Sequence, residues 1–151
     1  AAGEKLRAAL DSVKSQVGVT ALTDIAVQRA EALAGSTASL TATAIQTANE
    51  TIRQALASEL ADITAPPKLV NSSTAAGELD ISDASKYAAK LAALAKLAQA
   101  KGGVTVTNPA LAIAKQLAED LKDGLLDGMN GSAKVEGTEQ RPTLLPASPQ
   151  I

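Results

Sequence analysis

Apolar residues recur at every third or fourth position along most of the chain, which is the spacing of one α-helix face. The first such stripe consists of Leu6, Ala9, Leu10, Val13 and Val17. From the pattern we predict five helices, with the approximate ranges 4–16, 21–34, 37–60, 80–101 and 108–123. An antiparallel bundle explains this series of stripes more simply than a long coiled coil does.

Several predicted helix ends carry residues that are typical of helix caps. Thr20 suits the N-cap of the second helix, and Gly35 suits the position that stops it. Asn108 followed by Pro109 is a strong signal for the start of the fifth helix, because Asn caps a helix and Pro is favoured in its first turn. These signals make the second and fifth helices the best defined at their ends.

Two stretches of the chain are predicted to be non-helical. Residues 65–81 contain Pro66 and Pro67 and are otherwise rich in Ser, Thr, Asn and Gly, which predicts a long loop. Near the C-terminus, prolines at 142, 146 and 149 disfavour a helix. We therefore predict an all-α fold, a compact bundle of four to five helices with this loop and an extended Pro-rich tail. The bundle domain covers 1–132 and the tail 133–151.

The sequence lacks most of the side-chain types that act in catalysis. The 151 residues include no His, Cys, Trp or Phe, and only one Tyr and one Met. Without an imidazole or a thiolate, most enzyme classes are disfavoured, and we expect no catalytic residue, cofactor or metal ligand. The net charge of −2 argues against nucleic-acid binding. No run of 18 apolar residues is present, so we predict no transmembrane segment.

One group of oxygen-bearing side chains has the spacing of a possible calcium loop. Asp120, Asp123, Asp127 and Asn130 lie close together among glycines. Their order differs from that of an EF-hand, and the bidentate Glu is missing. The simpler interpretation of the segment from Asp123 to Asn130 is a helix C-terminus followed by polar turns.

Other residues are candidates for a catalytic role. A pair of carboxylates could hydrolyse glycosides, and the candidates are Glu50, Glu59, Asp62, Glu78, Asp80 and Asp83. Because sugar sites normally also offer aromatic surface, solvated helix faces are the simpler interpretation. Ser85 with Lys86, or Ser12 with Lys14, could form a Ser–Lys arrangement, but neither spacing directs both groups to one site.

Tyr87 lies on the apolar stripe of the fourth helix. We expect its ring to pack in the core, with the hydroxyl hydrogen-bonded to a backbone group of a loop. The alternative is a role in binding. The lysines of the same helix are interpreted as a solvated face, since a membrane-surface helix would need Trp or Phe anchors.

Three stretches together resemble a known family. They are 20–27 (TALTDIAV), 44–49 (AIQTAN) with 61–67 (ADITAPP), and 87–94 (YAAKLAAL) with 121–128 (LKDGLLDG). Their order and spacing resemble an Ala-rich helical region of secreted and cell-surface bacterial proteins. Those proteins often carry immunoglobulin-like or carboxypeptidase-regulatory-like domains beside it. The family usually has Thr-Pro-Leu-Thr in its first motif, whereas Ala21 replaces that Pro here.

The resemblance implies an exported protein, extracellular, at the cell surface or in the periplasm, with an architectural role. We therefore expect a non-enzymatic structural or interaction module that contacts a neighbouring domain or subunit and can associate with itself. Leu144 and Leu145, between prolines of the tail, are the first candidates for an intermolecular contact. The alternative function is a helical carrier for a lipid or another apolar ligand.

Overall fold

The computed structural model describes residues 5–71, 73–102 and 108–135, and this part of the chain is mostly helical, as predicted. The described residues form four α-helices, α1 (Ala21–Ala34), α2 (Ala42–Leu56), α3 (Asp83–Gly102) and α4 (Pro109–Asp120). Three short 3₁₀ turns accompany them, at Thr37–Ser39, Ala76–Glu78 and Leu121–Asp123. The strands β1 (Met129–Asn130) and β2 (Ala133–Lys134) form a small antiparallel hairpin.

The ends of α1 agree with the sequence prediction. The Thr20 hydroxyl accepts a hydrogen bond from the Thr23 backbone N–H, and the Thr23 hydroxyl accepts one from the Thr20 N–H. This reciprocal capping box satisfies two backbone donors that would otherwise lack partners. At the other end Gly35 adopts a left-handed conformation with φ of 75°, which Gly adopts without steric cost.

The start of α4 also agrees with the prediction. The side-chain oxygen of Asn108 accepts a hydrogen bond of 3.1 Å from the Leu111 backbone N–H, and Pro109 begins the helix. The α-helix ends at Asp120 and the predicted last turn, to Asp123, is a 3₁₀ turn. The Arg29 guanidinium donates to the carbonyls of residues 121 and 122, which places a cation at this helix end.

The third predicted helix is too long at both ends. Thr41 caps α2, because its hydroxyl accepts a hydrogen bond from the Ala44 N–H. After Leu56 the chain turns away, and the Arg53 guanidinium donates to the carbonyls of Ser58 and Leu60. The side chain of Leu60 still reaches the core, which explains why it continued the apolar stripe.

The first predicted helix, 4–16, is wrong, since residues 5–20 contain neither helix nor strand. Residues 5–17 form an irregular segment, here named the strap. Its backbone groups find partners elsewhere: the Arg7 N–H donates to the Asp24 carboxylate, and the Ala9 carbonyl accepts from Asn49. These tertiary hydrogen bonds replace those of a helix. Val13, expected on the inner face, is fully exposed.

The core lies where α1 contacts α2 and α4, and α4 in turn packs on α3. Small alanines fill much of it, and the largest buried apolar side chains are Leu22, Ile25, Ile52, Leu60, Ile63, Tyr87 and Ile113. Leu33 on α1 lies outside this core and is 57% exposed. Among the described residues of 65–81, the only helical element is the 3₁₀ turn, so this stretch is a long loop as predicted.

The predicted tail lies mostly outside the described residues, from residue 136 onward, and Leu144 and Leu145 are among the residues not described. Its first three residues are ordered by the hairpin. The Val135 N–H donates to the Gly128 carbonyl, and the Val135 side chain is buried. Of the helices in the described ranges, none has both the length and the apolar character needed to cross a bilayer.

Candidate functional site: a polar cleft beside the second helix

A cleft of about 490 Å³ opens between the strap, α2 and the turn after α2. Its volume is within the range of small-molecule sites, but its lining is mainly polar, unlike that of most such sites. The lining residues are Asp11, Lys14, Gln46, Thr47, Asn49, Glu50, Thr51, Arg53, Gln54, Ala61, Asp62, Ile63 and Thr64.

One wall of the cleft joins the strap to the turn after α2. The Lys14 ammonium lies 2.6 Å from the Asp62 carboxylate and 2.5 Å from the Thr64 hydroxyl. Asp62 also accepts hydrogen bonds from the backbone N–H and the hydroxyl of Thr64. Burial raises the pKa of Asp62, but the hydrogen bonds from Lys14 and Thr64 outweigh it and lower the pKa below its usual value. Asp62 is therefore an ionised group near neutral pH.

The opposite wall is a network within α2. The Glu50 carboxylate accepts hydrogen bonds of 2.7 and 2.8 Å from the Arg53 guanidinium and of 2.7 Å from the Gln54 amide. The hydrogen bonds from Arg53 and Gln54 lower the pKa of Glu50 to about 2. The guanidinium is also bonded to the Leu60 carbonyl at 2.8 Å, so this network fixes the chain after the helix.

Glu50 and Asp62 are the two predicted carboxylates that line the same cleft. A glycosidase needs one carboxyl group whose pKa is raised, so that it stays protonated near neutral pH and acts as general acid. The pKa of both groups is lowered instead, and each carboxylate is paired with a cation. Their arrangement suits ion pairing rather than proton donation.

The other predicted carboxylates do not line the cleft, and each has partners outside it. Glu59 pairs with Lys90 at 2.6 Å, and hydrogen bonding from Lys90 lowers its pKa. Asp83 accepts from the Ala61 N–H and Glu78 from the Ala75 N–H. Asp80 accepts from the N–H and hydroxyl of Ser82, and the Ser82 hydroxyl is the main cause of its lowered pKa.

The two predicted Ser–Lys pairs are not joined. The buried Ser85 hydroxyl accepts a hydrogen bond from the Asp80 N–H, whereas Lys86 lies 3.8 Å from Asp83. Ser12 donates to Asp11, while Lys14 is bonded to Asp62 and Thr64. In neither pair does the structure give the serine hydroxyl a hydrogen bond to its lysine.

Tyr87 is buried as predicted, and its hydroxyl donates to the Ile63 carbonyl at 2.7 Å, a backbone group of the loop after α2. The same oxygen lies 2.6 Å from the Thr20 hydroxyl. Burial raises the pKa of Tyr87 to about 12. The prediction of a core tyrosine bonded to loop backbone is confirmed.

The oxygen-bearing residues at and after the end of α4 have separate hydrogen-bond partners instead of converging. Asp120 accepts from the Asp127 and Gly128 N–H groups, and Asp123 accepts from those of Leu125 and Gly131. The Asn130 amide donates to the carboxylate of Glu119. Within residues 5–71, 73–102 and 108–135, no three His, Cys, Asp or Glu side chains meet as metal ligands would.

A second, very small cavity of about 10 Å³ lies beside Asp120 and is lined by Gln116, Asp120, Gly128 and Val135. One Asp120 oxygen and the Gln116 amide nitrogen are buried there without a hydrogen-bond partner among the described residues. Burial raises the pKa of Asp120. Asp120 was considered only as a calcium ligand in the sequence pattern, which gives no indication of its proximity to Gln116 in a cavity closed by Val135.

Sequence reasoning also missed the residues that hold the strap. Thr23, Asp24 and Asn49 bind its backbone, and the sequence pattern predicts none of them as a binding residue. The sequence pattern hid the strap, because in a helix at 4–16 the backbone groups of Arg7 and Ala9 would bond within the helix. A polar Asn within the buried side of α2 was the one signal in the sequence.

No protein family, curated protein or solved structure matches this chain.

Proposed function

We propose that the chain is a non-enzymatic structural and interaction module of an exported bacterial surface protein. Its helices form a compact bundle that contacts a neighbouring domain or subunit, including a second copy of itself. The resemblance of residues 20–128 to the Ala-rich helical region of secreted bacterial proteins supports the exported location. The paired and ionised state of the cleft carboxylates supports a role without proton-transfer chemistry at that site.

The observation that carries this proposal is a group of exposed aliphatic side chains, here named the aliphatic patch: Leu69, Val70 and Ile81. The Lys68 N–H donates to the Ala84 carbonyl at 2.9 Å, which brings residues 69–70 beside the start of α3. Leu69 is 95% and Ile81 90% exposed. Clustered exposed apolar side chains are typical of protein contact surfaces.

Light scattering on a size-exclusion column over a concentration series tests the proposal, with calcium and then with EDTA. We expect concentration-dependent association above the monomer mass of 15.2 kDa, equal in both buffers. Replacing Leu69 and Ile81 together by Ser should weaken it at least about tenfold, since each buried aliphatic side chain contributes about 1.5–3 kcal/mol. Leu33→Ser, at an exposed position on α1, is the matched control.

A monomer at every concentration would refute self-association. Equal association of the double variant and the control would refute the aliphatic patch. Deletion of residues 143–151 tests the predicted contact through Leu144 and Leu145 separately, and unchanged association would remove that idea.

The carrier alternative has less support. A lipid chain requires an apolar interior, whereas the cleft is lined mainly by charged, amide and hydroxyl side chains, and the second cavity is about the size of one water molecule. A fluorescent apolar probe distinguishes the two functions. We expect no fluorescence increase with the native protein, and saturable binding would favour the carrier.

A further inference from the structure

The strap consists of a docked part and an anchored part with an exposed joint between them. Residues 6–9 contact α1 and α2, and from Lys14 the chain is held by Asp62 and Thr64. Residues 11–13 between them are exposed, and the side chain of Val13 is entirely so. The docked part can therefore swing away while the anchored part keeps its contacts.

The docked part lies on a site built from four side chains, here named the strap seat: Thr23, Asp24, Glu31 and Asn49. Asp24 accepts from the Arg7 backbone N–H at 3.0 Å, and the Thr23 hydroxyl donates to the Arg7 carbonyl at 2.9 Å. Asn49 donates to the Ala9 carbonyl at 3.1 Å. The seat therefore binds the backbone of a non-helical peptide segment.

The strap seat also selects the side chains of that peptide. The Arg7 guanidinium bonds to Asp24 at 3.3 Å and to Glu31 at 2.7 Å, and Leu6 packs against the core. Two carboxylates opposite one guanidinium favour Arg at this position. The seat therefore recognises a Leu-Arg sequence followed within two residues by a free carbonyl.

An unoccupied strap seat would be costly. Asp24 is 2% and Thr23 0% exposed, and the Gln28 amide satisfies the second Asp24 oxygen. Departure of the strap would remove the bonds from Arg7 to Asp24 and the bond from the Thr23 hydroxyl to the Arg7 carbonyl. The Thr23 hydroxyl would keep its bond to the Thr20 carbonyl, whereas the Asp24 oxygen would exchange the Arg7 bonds for water. Refilling the seat with another peptide of the same sequence restores every bond.

We propose that the strap seat is a peptide-binding site that takes the strap of a second copy of this chain. The exchange needs no new contact, because the incoming strap makes the hydrogen bonds that the chain's own strap makes, as in domain swapping. The tether gives the chain's own strap an effective concentration in the millimolar range. The exchanged form is therefore favoured when docking of the chain's own strap is weakened.

Two complementary full-length variants test the exchange. In the acceptor, Arg7→Glu makes the strap repel Asp24 and Glu31 while the seat stays intact. In the donor, Glu31→Arg with Asn49→Ala weakens the seat while the strap stays intact. Both variants and their control also carry Leu69→Ser and Ile81→Ser, which remove association through the aliphatic patch. In that background we expect each variant alone to remain near 15.2 kDa and an equimolar mixture to form a complex of about twice that mass, with one copy of each chain by native mass spectrometry.

The matched control for the acceptor is Lys5→Glu, the same change of charge at an exposed strap residue. Its mixture with the donor should remain monomeric. Circular dichroism melting of each variant shows whether it is folded. If the acceptor and donor are folded and their mixture stays monomeric, or if the Lys5→Glu mixture dimerises equally, the exchange is refuted.

Cross-linking provides a second measurement, in which Arg7, Asp24 and Glu31 keep their native side chains. The chain has no cysteine, so Ala9→Cys in one copy and Asn49→Cys in another can be joined by a short bismaleimide. We expect a heterodimer whose yield rises with concentration and exceeds that of Ala9→Cys with Leu125→Cys. Equal yields would refute the exchange. The exchange does not depend on the aliphatic patch, because association through the patch would persist in Arg7→Glu.

Discussion

Tyr87 joins three separate parts of the chain through one hydroxyl group. The side chain comes from α3, the Ile63 carbonyl that it binds follows α2, and the Thr20 hydroxyl beside it caps α1. Since the environment is buried, these polar groups need partners within the protein, and the Tyr87 hydroxyl supplies one to both others. This single side chain therefore fixes the start of α1 against the rest of the core.

The titration of Tyr87 can be measured without interference, because it is the only tyrosine. Burial raises its pKa from 10.0 to about 12. A raised pKa in the folded state means that this stabilising contribution is complete below pH 10 and is lost as the pH rises toward 12. We expect the phenolate absorbance to appear near pH 12 in the native protein and near pH 10 in urea. Equal midpoints would contradict the buried position.

Replacing Tyr87 by Phe tests the hydrogen bonds separately from the ring. The Ile63 carbonyl and the Thr20 hydroxyl would each lose a buried partner, and we expect a loss of about 1–3 kcal/mol in the free energy of unfolding. Urea denaturation followed by circular dichroism measures it. Thr51→Val is the control, since the Thr51 hydroxyl donates to a carbonyl in an exposed part of α2 and its loss should cost less.

The Asp120 carboxylate stabilises the turn after α4 as a hydrogen-bond acceptor, but its negative charge is buried and therefore unfavourable. One oxygen binds the N–H groups of residues 127 and 128, while the other is buried without a partner among the described residues. Burial raises its pKa, so its ionisation costs stability as the pH rises above about 4.

We expect Asp120→Asn to gain stability relative to the wild type between about pH 4 and pH 7. Asp120→Ala should lose about 1–3 kcal/mol at all pH values. Urea midpoints across this range test both, and an Asn variant with no pH-dependent gain would contradict the assignment.

At the scale of elements, the sequence predicted those helix ends that are determined by contacts between residues close together in the chain. Thr20, Gly35 and Asn108 act on backbone groups within a few residues, so the ends that they mark could be predicted from the sequence. The strap has the apolar spacing and alanine content of a helix, but its backbone partners, Asp24 and Asn49, are 17 and 40 residues away. Propensity is a weak guide when distant groups compete for the backbone.

In the candidate site, too, local features could be predicted from the sequence and long-range contacts could not. Asp62 was a candidate from the sequence, but its partner Lys14 lies 48 residues away and was considered only together with Ser12. The cleft itself could not be predicted, because one of its walls is the strap. Tyr87 was predicted correctly since a lone tyrosine on an apolar stripe needs one polar partner wherever the loop passes.

Gly18 lies where the chain between the strap and α1 crosses the loop after α2, and its substitution tests how close that crossing is. Its N–H donates to the Thr64 carbonyl at 2.8 Å, and a Cβ at this position would lie 2.7 Å from the Ala65 carbonyl oxygen. Backbone atoms cannot yield as a flexible side chain would, so we expect Gly18→Ala to cost about 1–3 kcal/mol of unfolding free energy. Thermal denaturation measures it. Gly77→Ala, at an exposed position with open space around it, should have a midpoint close to that of the wild type, and equal midpoints for both variants would contradict the close crossing.

For the molecule as a whole, charged pairs add long-range connections to those that the apolar core makes. Arg7 pairs with Asp24 and Glu31, Lys14 with Asp62, and Lys90 of α3 with Glu59. Each pair joins residues that are far apart in the sequence, unlike the pair of Glu50 and Arg53 within α2. Because these pairs are partly exposed, each contributes little alone, but together they hold the strap and the loop after α2 on the helices.

Acid weakens the ion pair of Lys14 and Asp62 that anchors the strap. The lowered pKa of Asp62 means that its contribution is present above about pH 4 and is lost as the pH falls through the folded-state value. We expect Asp62→Asn to reduce the unfolding free energy near neutral pH by less than about 1 kcal/mol, because the pair is partly exposed. It should also speed hydrogen exchange of residues 14–18. Glu50→Gln removes a carboxylate from the same cleft whose ion-pair partner lies within α2. That variant should leave exchange at 14–18 unchanged. The effects of Asp62→Asn on the unfolding free energy and on exchange should vanish once acid protonates the wild-type Asp62 carboxylate. Equal exchange in the two variants would mean that the long-range pair does not hold the strap.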